Sequence, residues 1–109
     1  MIVVTSKMKT TSEKREEFLK ALRGMLEPMR LQPGCKNLFL CHDCEDENTS
    51  ILVEEWDVKE DFDRHLRSYD YRNLLVLMDL LSEPPEIKIN IVSLSAGMEY
   101  VEEVLGMNR

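Results

Sequence analysis

The chain opens on a short apolar run, Ile2 to Met8, β-branched at its start, which predicts a first strand. Phe18, Leu19, Leu22, Met25 and Leu26 then recur at i, i+1, i+4, i+7 and i+8. That is one face of a helix, and Glu16, Lys20, Arg23 and Glu27 fall on the other. Thr10 and Glu13 have capping-box spacing at its start. Pro28 is expected to kink or end the helix, because proline lacks an N–H and clashes with the preceding turn. Pro33-Gly34 is a firm stop. Lys36 to Glu45, with Leu38, Phe39 and Leu40 near its middle, predicts a second strand. Asp46-Glu47-Asn48 predicts a turn, and Thr49 to Trp56 a third strand paired with the second as a hairpin. Asp57 and Glu60 repeat the capping spacing, so a helix is expected from near Val58, with Phe62, His65, Leu66 and Tyr69 on one face. Tyr71 to Leu81 continues as a second helical piece that Pro84-Pro85 ends. Glu86 to Ser95 predicts a fourth strand with Ile87, Ile89 and Ile91 on one face. Gly97 breaks it, and Met98 to Leu105 predicts a short amphipathic tail helix.

The order β-α-β-β-α-β is that of two βαβ halves. It predicts an α+β, ferredoxin-like domain: a four-stranded antiparallel sheet with both helices on one face. The core is expected over residues 1–95, with a tail helix within 97–106, in a single domain of 109 residues. Strands one and four place apolar residues on both faces, Ile2 and Val4 against Val3, and Ile91 against Val92. A sheet face of that kind calls for a partner, and a two-fold pairing of sheets in a homodimer is the simplest one.

Composition narrows the classes. A net charge of −7 argues against nucleic acid, since phosphate contacts need clustered Lys and Arg. No apolar run reaches the roughly 20 residues of a membrane span. The start, MIVVTSKMK, lacks the charge, apolar length and cleavage site of a secretory signal. Three cysteines suit a reducing compartment better than a disulfide framework, so a cytoplasmic location is expected.

Several features together bring the chain close to a known family. They are the opening strand IVVTSKMK and a first helix running to Gln32-Pro33-Gly34-Cys35. A strand pair ending at Glu55-Trp56, His65-Leu66-x-Ser68 on the second helix and the prolines before the last strand complete the set. In this order and spacing the chain resembles the antibiotic biosynthesis monooxygenase superfamily of dimeric α+β barrels, over about residues 1–95. The resemblance implies a homodimer with a cleft between helices and sheet in each subunit. It also implies, for some members, oxidation of quinols or aromatic polyketide-like anthrones by dioxygen without metal or prosthetic group. In that reading His65 and Asn73 are the catalytic candidates, and Trp56, Tyr69 and Tyr71 would line a pocket for a small aromatic substrate. No cofactor and no metal are expected. Members that degrade haem use an Asn, a Trp and a His. Here Ser6 or Lys7, His65 and Leu75 stand near those places, which argues against haem. Other members are non-catalytic, and a small-molecule-binding or stress-related dimer is the alternative.

The residues carry both functional and structural readings. An imidazole such as that of His65 is the side chain suited to take a phenolic proton near neutral pH; equally, a helix histidine can pack at a sheet edge and bond a backbone carbonyl. Trp56 can stack on a flat ring, but a tryptophan here more often closes a helix–sheet junction. Cys41-His42-Asp43-Cys44 resembles a metal or redox motif, yet on a strand Cys41 and Cys44 point to opposite faces and no second ligand pair is in view. The acidic run Glu54, Glu55, Asp57, Glu60, Asp61, Asp63 reads as a solvated helix start.

Overall fold

The computed structural model describes residues 1–107. Four strands, β1 (Ile2–Lys9), β2 (Cys35–Asp43), β3 (Asp46–Trp56) and β4 (Glu86–Ile91), form one antiparallel sheet in the order β2-β3-β1-β4. Helices α1 (Arg15–Arg30), α2 (Lys59–Leu66) and α3 (Tyr69–Leu77) cover one face, and a single 3-10 turn, Met78–Leu80, follows α3. This is the ferredoxin-like arrangement, with β1 pairing both β3 and β4 at the centre.

Alternation along the strands sorts the side chains. Ile2, Val4, Ser6 and Met8 of β1 are buried beneath the helices, as are Leu52, Glu54 and Trp56 of β3. The larger core gathers Met8, Phe18, Leu22, Met29, Leu38, Leu52 and Leu74. A smaller one, at the end of the sheet where β3 stops, joins Ile2, Val4, Trp56 and Phe62. The opposite face presents Val3, Phe39, Ile51 and Val53, all partly exposed.

Local details depart from the sequence expectations for physical reasons. Thr10 does not cap α1. It is buried, and its N–H donates to the Asn48 carbonyl at 3.0 Å, tying off β1. The Thr11 hydroxyl accepts from the Lys14 N–H instead, and α1 begins only at Arg15. Pro28 does not end α1, which runs on to bury Met29. The carbonyl it deprives of a partner is that of exposed Gly24, which water can reach. The hairpin turns at Cys44-Glu45, not at residues 46–48, and Asp46 already belongs to β3. The Asp43 carboxylate accepts from the Glu45 N–H, and the Asp46 carboxylate accepts from the Asn48 N–H and the Thr49 hydroxyl. No turn residue has positive φ, so the strands compensate with a register irregularity between His42 and Asp43. Asp57 makes no cap for α2; its carboxylate lies 3.5 Å from Lys36 Nζ.

β4 stops at Ile91, short of Ser95. Its Ile87, Ile89 and Ile91 pair with Ser6, Val4 and Ile2, so they lie on the helix side of the sheet, but beyond the helices' cover. The tail helix α4 (Met98–Leu105) buries no residue. The radius of gyration is 16.3 Å, against about 13 Å for a compact chain of this length. The excess reflects a C-terminal segment that extends away from the domain.

Candidate active site

Period two along β3 puts Glu54 on the same side as Leu52 and Trp56, under the helices. The acidic run is therefore not uniformly solvated: Glu54 is 1% exposed. A buried carboxylate costs several kcal/mol unless it is paired and hydrogen-bonded. Glu54 has two partners on one oxygen. Trp56 Nε1 donates to Oε1 at 3.1 Å, and His65 Nε2 lies 3.2 Å from the same atom. The histidine contact is off the ring N–H axis, a charge contact rather than an aligned hydrogen bond.

α2 brings His65 to this position because Phe62 and His65, three residues apart, form its buried face. The imidazole stacks on the Trp56 indole, with centroids 4.4 Å apart, and meets the Tyr71 ring edge-on at 5.2 Å. On its other side His65 Nδ1 is 2.8 Å from Gln32 Oε1. Gln32 Nε2 in turn donates to Asp70 Oδ2 at 2.9 Å and to Ser68 Oγ at 3.3 Å. Ser68 follows α2 and is the N-cap of α3. Its hydroxyl donates to the His65 carbonyl at 2.6 Å and accepts from the Tyr71 N–H, which caps α3.

Gln32 reaches this cluster through the turn after α1. Gly34 there has φ +83°, the left-handed region that favours glycine. The Gly34 carbonyl accepts from the Asp57 N–H at 2.9 Å, tying the turn to the start of α2.

The Glu54 charge is felt beyond its direct partners. Burial, and then Glu54, push the Tyr71 phenol above the ordinary tyrosine range. The same two causes raise the Cys35 thiol, so little thiolate forms there.

Trp56, His65 and Tyr71 thus meet in one cluster, as two further predicted residues do not. Tyr69 is 75% exposed: the helix breaks between Leu66 and Tyr69, so the expected shared face with His65 does not form. Asn73 is half-buried on α3, roughly 200° around the helix from Tyr71, and makes no hydrogen bond to the cluster. Glu54 and Gln32 are the partners that sequence reasoning missed. The signal for Glu54 was present in the alternation Leu52, Glu54, Trp56; Gln32 stands 33 residues from His65 and had none. Surface clefts border Lys9 and Glu86, Arg15 and His42, Arg30 and Cys35, and Thr5 and Ile87; His65, Trp56 and Tyr71 line none of these. Cys41 lies on β2 and Cys44 in the turn. Among the described residues no three His, Cys, Asp or Glu side chains are grouped to hold a metal ion.

Residues 1–75, which carry the whole cluster, match the family described as antibiotic biosynthesis monooxygenase. The chain belongs to that family. A protein of Synechocystis, sll1783, described only as uncharacterized, is 33% identical over 89 residues, covering 81% of this chain. The chain spans 60% of that relative's length. YcnE of Bacillus subtilis, whose name proposes a monooxygenase, is 27% identical over 80% of this chain and 93% of its own. Among solved structures, a conserved protein of Methanosarcina mazei superposes with a TM-score of 0.77 at 26% identity, over 82% of this chain and 89% of its own. Rv0793 of Mycobacterium tuberculosis reaches 0.81 at 21% identity, over 88% and 98%. The tail after residue 75, with β4 and α4, lies outside the family match. Among the described residues no helix is long and apolar enough to cross a membrane.

Proposed function

We propose that this family member is a monooxygenase that oxidises a small quinol or aromatic polyketide-like phenol with dioxygen, without a bound cofactor. The observation that carries the reading is the buried His65–Glu54 pair stacked on Trp56. A buried ionisable pair surrounded by aromatic rings is an expensive arrangement for stability alone, and such groups concentrate at sites that move protons. Family membership and the likeness to YcnE support oxygen-inserting chemistry.

In this mechanism His65 takes the phenolic proton, with Glu54 balancing the imidazolium. The resulting anion delocalises charge to ring carbon and gives up electrons to dioxygen. For an anthrone-type substrate one oxygen atom becomes the new carbonyl. The other leaves as water with the two hydrogens of the oxidised carbon. Trp56 supplies a flat wall. Tyr71, half-buried with its ring edge on His65, must rotate to admit a substrate. Tyr69, exposed at the start of α3, and Asn73, on another side of that helix, would touch only an outlying part of the substrate.

The protein acts as a homodimer through the open sheet face. Val3, Phe39, Ile51 and Val53 form an apolar surface there that a second sheet would cover.

Oxygen uptake with a panel of quinols and anthrones tests the enzyme reading. Protein-dependent uptake that falls at least about a hundredfold in His65→Ala, the scale of a lost general base, is expected. No uptake with any member of the panel, or full activity in His65→Ala, overturns it.

A further inference from the structure

We propose that Gln32 and Asp70 are positioning residues that hold His65 protonated on Nδ1, leaving Nε2 as the proton-accepting nitrogen. The assignment follows from which atoms can donate. The Asp70 carboxylate can only accept, so the Gln32 atom 2.9 Å from its Oδ2 is the amide nitrogen. Gln32 Oε1 is then the atom facing His65 Nδ1 at 2.8 Å. An amide oxygen can only accept, so Nδ1 carries a hydrogen. The Ser68 hydroxyl supports the same orientation, because its hydrogen is given to the His65 carbonyl at 2.6 Å and it accepts from Gln32.

The consequence falls on the other ring nitrogen. A neutral imidazole with hydrogen on Nδ1 has a bare lone pair on Nε2, which lies 3.2 Å from Glu54 Oε1 but off the ring axis, and no hydrogen bond occupies it. A proton taken up there makes an imidazolium whose charge the nearby Glu54 carboxylate balances. The Trp56 Nε1–H already donates to that oxygen, so the carboxylate has a donor without a hydrogen from His65. The titratable groups around the ring are Glu54 from β3, Tyr71 and Asp70 from α3 and, beyond Glu54, Cys35. Without Asp70 only the longer, 3.3 Å bond to Ser68 Oγ holds the Gln32 amide, which can turn over and donate to Nδ1 as the Ser68 hydroxyl rotates. The neutral ring then carries its hydrogen on Nε2.

The tautomer stands on the hydrogen-bond network alone; its use in catalysis rests on the oxidation proposed above. Long-range proton–nitrogen correlation spectra of the free protein, with no substrate present, read it directly. The expected wild-type pattern has a directly bonded hydrogen on His65 Nδ1, and Asp70→Ala moves the neutral ring to the Nε2-protonated form. Adding Gln32→Glu to Asp70→Ala restores the Nδ1 form, since a carboxylate only accepts. Loss of a charge or of packing at Asp70 would not by itself exchange the tautomers. A wild-type His65 with bare Nδ1, or an Asp70→Ala spectrum showing the wild-type tautomer, overturns the proposal. Should Asp70→Ala not fold, the wild-type spectrum alone decides. Activity plays no part in this readout, so a failure of the enzyme reading leaves it intact.

Discussion

The indole N–H of Trp56 donates to the carboxylate of Glu54, two residues back on the same strand, at 3.1 Å. Both side chains are almost wholly inaccessible. A tryptophan that closes a helix–sheet junction is here also the hydrogen-bond donor that makes a buried carboxylate tolerable. Architecture and chemistry share one residue, and that sets the first expectation.

Breaking this cluster is costly. Glu54→Ala leaves His65 without its charge partner, and truncating one member of a buried pair typically costs about 3–5 kcal/mol. Trp56→Phe keeps most of the ring but strips the carboxylate of its donor, for about 1–3 kcal/mol. Tyr69→Ala, at an exposed site, stays within about 0.5 kcal/mol. Urea unfolding midpoints of the three variants should rank in that order. A Trp56→Phe protein as stable as the wild type would show that the indole hydrogen bond contributes nothing net.

The turn after α1 is expected to tolerate no side chain at Gly34. Its φ of +83° is unfavourable for any Cβ, and a Cβ there would run into the Asp61 side chain. Gly34→Ala should destabilise by on the order of 1–3 kcal/mol. Because Gln32 precedes this turn, the variant should also loosen its bond to His65. Calorimetry and the His65 nitrogen spectrum check the two effects separately.

Alkaline pH should act on Tyr71. Burial and Glu54 hold its phenol protonated above its unfolded value of about 10. A raised folded value means that the contribution is fully present below about pH 10 and is lost as pH rises through the folded value. Stability measured against pH should fall more steeply above pH 10 in the wild type than in Tyr71→Phe. Parallel curves would exclude Tyr71 as the group responsible.

Val53 sits in the middle of the open sheet face, paired with Thr5 on one side and Phe39 on the other. If two sheets meet there, Val53→Lys places a charge in the interface and should convert a dimer to a monomer in sedimentation. Its circular dichroism should be unchanged, because the position is outside the core. A wild-type protein that sediments as a monomer removes the dimer from the proposal.

Strand alternation was readable directly: Ile2, Val4, Leu52 and Trp56 all fall on the side that period two assigns them. The two-helix covering layer was readable as well, from Phe18, Leu22 and Phe62. Boundaries were harder where polar side chains had competing partners. Thr10, Asp46 and Asp57 each carry a signal for a cap or a turn. Each is used elsewhere, on the Asn48 carbonyl, on Thr49 and Asn48, and against Lys36. Spacing identifies a residue able to cap; it does not say which backbone group will be nearest after folding.

The sequence by itself determined the order of elements and the alternation of buried and open positions along β1. Those properties follow from residue type and period within one segment. Only the tertiary structure decided that Glu54 lies inside, that Gln32 and Asp70 reach His65, and that Tyr69 does not. A buried polar atom must be paired, and its partner is whichever group the packing brings within about 3 Å, however far away along the chain. For His65 that group is Gln32, and no local pattern announces it.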